Sequence, residues 1–544
     1  MKNKNYKLIL HNYISKNKWG MMTRAGYKIV LTADRTLFTD YGGFEGGGFL
    51  TCLPRRFIPD FFLYRVLCPK IPSDDGRALY ASYSLRKIEA SLLAGGFTEE
   101  EVVVAPPDEL HRVIGEETRV VGITTVDPRG YAPVSHTLCS LFGGGKSCTA
   151  TEFEKLLRNK ALEKHRSHLQ IIVGGPGVWQ ISEEDMKALG IDAIFVGEGD
   201  ESAAEVFKRA IEGEKLPPII HNRQSNPEHI PEIVNPVRCG HVQITRGCGR
   251  GCQFCTPTMR KWISFPKEKI LKEVMVNARG GVHNASFITD DGLRYGARGI
   301  EVNREAVLDL YKSTLNVEGI NSVSIAHASF PTILQDPGLV REISQLCGHT
   351  KEEPYIGPQI GLETGSPRLI RKYMIGKPRP YKPEEWPEVV VQATQILNDN
   401  YWYPCTTLII GLPDENEDDV LKTIELIDEL KGSKQWLFPL FFVAMGGSIL
   451  EKEKTFTLKG MTQAHWDLLF ECWEHSVKFS KEIVDRLFGS GNVLTRRITK
   501  AFVKKGISLA EKYLAEIRKN PEMLMDSLKD VKLNSMKELM KYIL

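Results

Sequence analysis

Short apolar runs alternate with segments of amphipathic helical spacing along most of this 544-residue chain. In its first part the runs predict strands at 29–32, 102–104, 120–124, 170–173 and 193–196. Continuously apolar strands separated by helices indicate a parallel sheet, because such strands are buried on both faces. We therefore predict an α/β fold class, with a doubly wound N-terminal domain over residues 27–212.

A second series of predicted strands follows at 243–244, 285–289, 322–326, 359–362, 406–410 and 436–443. Helical patterns lie between them, so this series predicts a partial (β/α)6 barrel over residues 239–450. Residues 213–238 are rich in Pro and Asn and are predicted to form a linker. Residues 451–544 are predicted to form a helical, lysine-rich C-terminal domain, because their apolar spacing is helical and no strand pattern is present.

The composition is that of an ordinary globular protein, with 42% hydrophobic and 26% charged residues. The net charge of +3 gives no overall reason to expect nucleic-acid binding. No apolar run has the length of a transmembrane segment. The first 26 residues lack a signal-peptide core and are predicted to be a disordered extension. The eleven cysteines are scattered along the chain, which favours a reducing, cytoplasmic location.

Three cysteines at the start of the second unit carry the clearest chemical signal. Cys248, Cys252 and Cys255 form a C-x3-C-x2-C pattern, with Phe254 before the last cysteine. Three thiolates can hold three irons of a [4Fe–4S] cluster and leave the fourth iron open. A structural zinc site needs a fourth ligand, and no second ligand pair is near. A disulfide would leave an odd thiol, so we predict a cluster.

The cysteine spacing resembles the cluster motif of the radical S-adenosylmethionine (SAM) superfamily. This resemblance implies that the open iron binds SAM and that SAM cleavage gives a 5′-deoxyadenosyl radical. Segments 289–292, 361–366 and 409–413 resemble SAM-binding segments of that superfamily. On this basis the SAM contacts are Asp290, Asp291, Ser324, His327, Glu363, Ser366 and Gly411.

Alternatives stay open at several of these positions. Glu363 could form a salt bridge across the barrel mouth, and His327 could be a core histidine. Arg246 and Arg250 flank the cysteines, where they could raise the cluster potential, hold a carboxylate or lie at the surface.

A glycine turn at 174–176 and the segment 196–200 resemble the cobalamin-binding class of the superfamily. This resemblance implies cobalamin contacts at Thr124, Thr125, Gly174, Gly175, Pro176 and Glu198. The D-x-H-x-x-G motif that often ligates cobalt is absent: residues 127–130 read Asp-Pro-Arg-Gly, so no lower axial histidine is predicted. The alternative is a flavodoxin-like domain kept for packing or substrate binding.

Segments 32–37 and 245–252 further resemble archaeal, largely methanogen, radical SAM C-methyltransferases. This resemblance implies methyl transfer by way of methylcobalamin to an unactivated sp3 carbon of a protein or peptide side chain. A glutamine of methyl-coenzyme M reductase is one candidate substrate, and ferredoxin or flavodoxin is the implied electron donor.

Two other activities occur among proteins that this chain resembles. Carbon–carbon bond or ring formation on archaeal lipid chains is the main alternative. Methylthiolation of transfer RNA is disfavoured, because such enzymes carry three further N-terminal cluster cysteines and a small C-terminal β-barrel that are not evident in the sequence.

Overall fold

The computed structural model describes residues 26–41 and 46–486, together with residues 500, 504–508, 511, 514, 518 and 519. The α/β fold class is confirmed, with a parallel sheet followed by a partial barrel. The predicted disordered extension lies outside the described residues except for Gly26, and so does most of the C-terminal region beyond residue 486. Among the helices described, none combines the length and hydrophobicity needed to cross a bilayer.

The N-terminal domain is built on a six-stranded parallel sheet with strand order β4-β1-β5-β6-β7-β8. The strands are β1 (Ile29–Ala33), β2 (Ser73–Asp74), β3 (Arg77–Ala78), β4 (Val102–Val104), β5 (Val120–Thr124), β6 (Gln170–Gly174), β7 (Ala193–Val196) and β8 (Ile219–His221), of which β2 and β3 form a separate hairpin. The helices are α1 (Gly47–Thr51), α2 (Asp60–Phe62), α3 (Tyr83–Ala94), α4 (Leu110–Val113), α5 (Pro133–Leu141), α6 (Cys148–Leu157), α7 (Lys160–His165), α8 (Glu183–Leu189) and α9 (Ala203–Ile211), with a π-helical turn at Leu63–Leu67.

Both faces of this sheet are buried, as the continuous apolar strands predicted. Val30 and Val121 pack into one hydrophobic cluster, whereas Ile29, Leu31 and Val120 pack into a second cluster. Because successive side chains of a strand point to opposite faces, these two clusters are the cores above and below the sheet. The domain is therefore doubly wound.

The edge strand β8 lies inside the segment that the sequence predicts to be a linker. Ile194 of β7 pairs with Ile219 of β8 in parallel register. This strand has three residues, follows Pro217-Pro218 and keeps Ile219 38% exposed. As an edge strand, β8 pairs with only one neighbour and stays largely exposed. Its sequence therefore lacks the continuous apolar run that predicts a buried strand.

The second unit is a six-stranded partial barrel. Its strands are β9 (His241–Gln243), β10 (Thr245–Arg246), β11 (Ile263–Ser264), β12 (Asn284–Ile288), β13 (Ser322–Ile325), β14 (Tyr355–Glu363), β15 (Trp402–Ile410) and β16 (Trp436–Phe441), of which β10 and β11 form an antiparallel pair. The parallel sheets β9-β12-β13 and β14-β15-β16 meet at a bridge between His327 and Gln359. The helices are α10 (Lys267–Arg279), α11 (Arg304–Leu315), α12 (Phe330–Gln335), α13 (Pro337–Cys347), α14 (Pro367–Tyr373), α15 (Trp386–Asp399), α16 (Glu417–Glu429) and α17 (Gln463–Ile483). Turns of 3-10 helix occur at Arg55–Phe57, Arg166–His168, Val178–Gln180, Arg238–Gly240, Pro257–Met259, Gly292–Arg294, Pro383–Glu385 and Leu458–Gly460.

The inward face of strand β15 is less buried than its outward face. On β15 the residues that alternate toward the inside, Cys405, Thr407 and Ile409, are partly exposed, whereas their neighbours Thr406 and Leu408 are buried. Strand alternation therefore places the buried face against the helices and the less buried face toward the interior space of the barrel.

The carboxyl edge of the N-terminal sheet faces the last strand of the barrel. Phe441 donates its backbone N–H to Thr137 Oγ1 at 2.8 Å, and the ring of Phe49 stacks on Phe438 at 4.8 Å. A buried ion pair of 2.9 Å between Lys87 and Glu273 joins the two units elsewhere. The loops that follow the N-terminal strands thus lie against the barrel.

Candidate functional site

The cysteine triad lies in a loop, residues 247–262, that is closed at its base by the β10–β11 pair. At the start of this loop Gly247 has a φ of +80°, and an added Cβ would lie 2.6 Å from the carbonyl oxygen of Lys261. Only glycine allows this close approach. Cys252 is buried, while Cys248 and Cys255 are partly buried. Burial raises the pKa of Cys252 to about 12, so binding to a metal would displace a proton from its sulfur.

The cysteine triad offers the donor set expected for an iron–sulfur cluster. Its three thiolates can hold three irons of a [4Fe–4S] cluster and leave the fourth iron open. A tetrahedral structural zinc ion takes four ligands, whereas Cys248, Cys252 and Cys255 supply three.

Arg250 holds the cysteine loop to the barrel. Its guanidinium, 5% exposed as a residue, donates to the backbone oxygens of Lys377 at 3.0 Å and Arg379 at 3.1 Å, and to Ser329 Oγ at 3.0 Å. It also lies 3.4 Å from Oδ2 of Asp291. This buried set of contacts excludes the surface role that the sequence left open.

Asp291, a predicted SAM contact, is fully buried in this set of contacts. Its carboxylate accepts hydrogen bonds from Ser329 Oγ at 2.7 Å and Thr332 Oγ1 at 3.0 Å. Both oxygens are thus engaged by neighbouring side chains. The Asp291 side chain therefore supports the cysteine loop and does not face the barrel interior.

Arg294 is a second cation beside the cysteines that the sequence did not single out. It donates to the carbonyl oxygen of Cys248 at 2.9 Å, and its guanidinium carbon lies 4.3 Å from the ring centre of Trp262. Burial lowers its pKa, with a smaller opposing effect from Asp291. No motif marks this arginine, because its role depends on the turn Gly292–Arg294 that follows β12.

Glu363 and Lys377 form an ion pair of 2.9 Å at the barrel mouth, which is the alternative that the sequence left open for Glu363. The Glu363 and Lys377 side chains are 11% and 12% exposed. Burial lowers the pKa of Lys377, but Glu363 and the nearby Cys252 thiol outweigh burial, so its pKa is raised. Lys377 is therefore a cation close to the predicted cluster ligands.

The sequence offered one indirect signal for Lys377. It follows Gly376, where an added Cβ would lie 2.1 Å from the carbonyl oxygen of Arg250. That glycine is required for close packing against the cysteine loop, although the sequence alone does not show the contact.

Asp290, Ser324 and His327 lie at or near the carboxyl ends of β12 and β13 and are not fully buried. Burial raises the pKa of Asp290 to about 6, with Arg260 opposing and Asp291 adding to the shift. His327 is exposed just after β13, and its Nδ1 is 3.1 Å from the Thr289 carbonyl oxygen. These three residues can contact a ligand inside the barrel.

Ser366 and Gly411, two other predicted SAM contacts, are not brought to this space. Ser366 is fully buried, donates to Asp419 Oδ1 at 2.5 Å and caps helix α14. Gly411 has a φ of +81°, and an added Cβ would lie 2.0 Å from the ring of Phe456. Packing therefore explains both residues. Ser366 caps the amino end of helix α14, and Gly411 leaves room for the ring of Phe456.

Four of the predicted cobalamin contacts lie together at the carboxyl edge of the N-terminal sheet. Thr124 pairs with Gly174, and Thr125 donates its N–H to the Gly174 carbonyl oxygen at 2.9 Å. Gly175 has a φ of +101°, and an added Cβ would lie 2.5 Å from the Thr125 carbonyl oxygen. This turn is therefore tight against β5, while the adjoining Pro176 is exposed.

Two buried polar atoms beside this turn have no hydrogen-bond partner among the residues that the structure describes. They are Thr125 Oγ1 and Asp127 Oδ2. The other Asp127 oxygen accepts from Ala132 N–H at 3.0 Å and Gln180 Nε2 at 2.9 Å. Buried polar groups are nearly always paired in native proteins, so these two atoms are exceptions at the carboxyl edge of the sheet.

Glu198, the remaining predicted cobalamin contact, follows β7 at the same edge of the sheet, but its carboxylate is engaged by protein groups. Its carboxylate is buried against the guanidinium of Arg246, which is also 2.9 Å from Asp200 Oδ2. It further accepts the N–H of Ser225 at 2.8 Å. Burial lowers the pKa of Arg246, but these two carboxylates outweigh it and raise the pKa. Charge pairing therefore directs Glu198 to the start of the cysteine loop, and Arg246 holds protein carboxylates.

A cavity of about 290 Å³ opens beside the segment that follows β5, and its lining residues lie between positions 129 and 154. Its lining includes Arg129, Tyr131, His136 and Lys146, and Tyr131 is 49% exposed. His136 contacts the Phe456 carbonyl oxygen of the second unit at 2.8 Å. This cavity thus lies close to the contact between the two units.

Comparison with known proteins agrees with the geometry of the cysteine loop. Residues 242–427 match the family model described as the Radical SAM superfamily. This segment is a radical SAM domain, and it spans the strands from β9 to β15.

Curated relatives of the chain include methylthiotransferases. A tRNA-2-methylthio-N(6)-dimethylallyladenosine synthase of Thermotoga petrophila is 25% identical over 288 residues, covering 50% of this chain and 61% of the relative. The ribosomal protein uS12 methylthiotransferase RimO of Cytophaga hutchinsonii is 29% identical over 203 residues, covering 36% of this chain and 42% of the relative. The chain thus spans about half the length of these relatives.

Two solved structures of the radical SAM methyltransferase TsrM from Kitasatospora setae are also similar. One has cobalamin and a [4Fe–4S] cluster bound, with 14% identity, a TM-score of 0.49 and coverage of 78% of this chain and 77% of that chain. The other has tryptophan and the SAM analogue aza-SAM bound, with 13% identity, a TM-score of 0.49 and coverage of 76% and 73%.

Proposed function

We propose that this protein is a cobalamin-dependent radical SAM methyltransferase that acts on an unactivated carbon of a protein side chain. The observation that carries the proposal is the unpaired Thr125 hydroxyl and Asp127 carboxylate oxygen at the sheet edge facing the barrel. Cobalamin presents many amide groups that such atoms can bind. The cysteine loop of the radical SAM domain is joined to the same domain through Arg246, which pairs with Glu198 and Asp200.

When bound, the [4Fe–4S] cluster supplies the electron that cleaves SAM, and the cobalamin carries the methyl group. Cys248, Cys252 and Cys255 hold the cluster. Among the remaining residues, the carboxylate of Asp290 suits the SAM ammonium and the cation of Lys377 suits the SAM carboxylate.

Glu363 completes the proposed SAM site. Its paired carboxylate keeps oxygen lone pairs that can accept hydrogen bonds from ribose hydroxyls. Ser324 and His327 follow or end strand β13 near the barrel interior, and we propose them as further SAM contacts. The burial of Asp291, Ser366 and Gly411 leaves them as supports for the walls of the site.

The substrate is proposed from the sequence resemblance and from the less buried inward face of strand β15. A glutamine side chain of methyl-coenzyme M reductase is the candidate, and a ferredoxin or flavodoxin in the cytoplasm is the proposed electron donor. From the strand and helix patterns of the sequence we propose domain bounds at 27–212, 239–450 and 451–544. Strand β8 shortens the proposed linker between the first two domains.

Methylthiolation is the second candidate, because curated relatives carry that activity in their names. A methylthiotransferase with a second cluster would hold about eight irons per chain, whereas the methyltransferase needs about four. Iron content therefore separates the two candidates before any substrate is known.

Anaerobic reconstitution with iron, sulfide and hydroxocobalamin tests the proposal. We expect cobalamin to remain bound through desalting and to be lost in the Thr125→Val/Asp127→Asn variant, while iron content stays the same. Thr314→Val is the matched control, since Thr314 Oγ1 is likewise buried without a partner but lies in barrel helix α11. Failure of the wild-type protein to retain cobalamin would overturn the proposal.

A further inference from the structure

Three potential metal ligands converge in the N-terminal domain away from the site described above. One ligand atom each of Glu116, His165 and His168 lies within 4.8 Å of the other two. Nδ1 of His165 is 3.5 Å from Oε1 of Glu116, and the two imidazole rings meet edge to face with centres 5.5 Å apart.

The chain connectivity places this group at the edge of the sheet opposite the barrel. Glu116 precedes β5, and His165 ends helix α7 just before β6. His168 closes the short turn Arg166–His168, and its Nε2 is 3.4 Å from the Gly115 carbonyl oxygen. Because β5 and β6 are parallel, the segments before them meet at the amino edge of the sheet. Thr125 and Gly174 lie at the carboxyl edge.

The separations match ligands on one ion better than hydrogen bonds. A separation of 3.5 Å is long for a hydrogen bond between a ring nitrogen and a carboxylate. Two ligands at bond lengths of about 2.0–2.1 Å on a tetrahedral ion are about 3.4 Å apart. His165 and Glu116 are thus already spaced as two ligands of one ion, and a ring nitrogen of His168 lies within 4.8 Å of both ligand atoms.

One ligand of this group is buried, whereas another is exposed and leaves the site accessible to solvent. The His165 side chain is 7% exposed, which holds its ring in place, while that of Glu116 is 79% exposed. An ion can therefore enter from solvent on the Glu116 side. Imidazole and carboxylate donors favour zinc and similar transition ions over magnesium or calcium.

We propose that Glu116, His165 and His168 bind a divalent transition ion of the zinc class, with the fourth position open to water. The ion joins the segment before β5 to the segment before β6. An ion that binds only the folded state stabilises that state, so the bound ion should raise the free energy of unfolding of the N-terminal domain. This proposal is independent of the proposed methyl transfer.

The test uses the cluster-reconstituted full chain, stripped with a weak chelator and titrated with Zn²⁺. We expect one tightly bound zinc more in the wild type than in the His165→Gln/His168→Gln variant, and at least tenfold weaker binding at this site in the variant. X-ray absorption at the zinc edge should show nitrogen or oxygen neighbours at about 2.0–2.1 Å, whereas zinc on cysteines would show sulfur at about 2.3 Å.

His229→Gln is the matched control, because Nδ1 of His229 lies 2.9 Å from Oε1 of Glu201, and within the described part of the chain no third potential metal ligand lies close to both. It should bind zinc as the wild type does. Should the buried His165→Gln change prevent folding, the exposed Glu116→Gln and the single His168→Gln variants carry the test. Equal zinc binding by wild type and these variants, or a sulfur shell alone, would overturn the proposal.

Discussion

The guanidinium of Arg246 lies 2.9 Å from Oδ2 of Asp200, with both side chains largely buried. Asp200 belongs to the N-terminal domain and Arg246 begins the cysteine loop, so one ion pair connects the sheet to the cluster site. Glu198 joins the same guanidinium. The position of the cysteine loop therefore depends on the neighbouring domain as well as on the barrel.

Arg246→Met should destabilise the protein by about 3–5 kcal/mol, because it leaves two buried carboxylates without their cation. Urea unfolding followed by circular dichroism measures the change. Glu201→Gln, which removes an exposed partner of His229, is the control and should leave the free energy of unfolding nearly unchanged. An Arg246→Met variant as stable as the control would refute this role of the pair.

Lys377→Met should weaken SAM binding by roughly tenfold or more, because it removes the proposed cation for the SAM carboxylate. Lys377→Arg keeps the charge and should retain more of the affinity. Equilibrium binding of SAM to the reconstituted protein measures both variants. Lys372→Met is the control, since Lys372 is an exposed partner of Asp414. Equal SAM affinity in Lys377→Met and Lys372→Met would contradict the assignment.

SAM affinity should fall as the pH decreases through about 6, because burial raises the pKa of Asp290 to that value and only the carboxylate attracts the SAM ammonium. The sign for stability is opposite in the SAM-free protein. A raised carboxyl pKa means that the folded state binds the proton more tightly, so stability decreases as the pH rises from about 4 to about 6. Asp290→Asn should remove both dependences, and unchanged pH profiles in that variant would rule out Asp290 as their source.

Gly376→Ala should lower the iron retained after reconstitution by more than half, because its Cβ would lie 2.1 Å from the Arg250 carbonyl oxygen. Colorimetric iron determination measures the loss. Gly48→Ala is the control, since its nearest atom would be an ordinary contact at 3.7 Å. Full iron content in Gly376→Ala would show that the cysteine loop tolerates displacement.

The sequence predicted the features that periodicity and local motifs determine. Apolar runs revealed both parallel strand series, since a strand buried on both faces must be continuously apolar. The cysteine loop was predicted because its three ligands are close in sequence. The exposed edge strand β8 was missed, since neither of its faces is fully buried.

The contacts that were missed join residues distant in the chain. Lys377 meets Glu363 and the cysteine loop only after the barrel closes, and Arg294 reaches the Cys248 carbonyl oxygen through a turn. Glu198 was assigned by its neighbours in sequence, but a buried arginine 48 residues away determines its position. Pairing of buried charges is a property of the folded chain, which local patterns do not encode.

Transfer of a labelled methyl group tests the central claim most directly. The protein, reconstituted with cluster and cobalamin, is incubated anaerobically with a reductant, methyl-deuterated SAM and peptides of methyl-coenzyme M reductase, and the peptides are sequenced by mass spectrometry. The account predicts a trideuterated methyl group on a side-chain carbon, with no label when cobalamin is omitted. Label accompanied by an added sulfur atom, or label that does not depend on cobalamin, would contradict it.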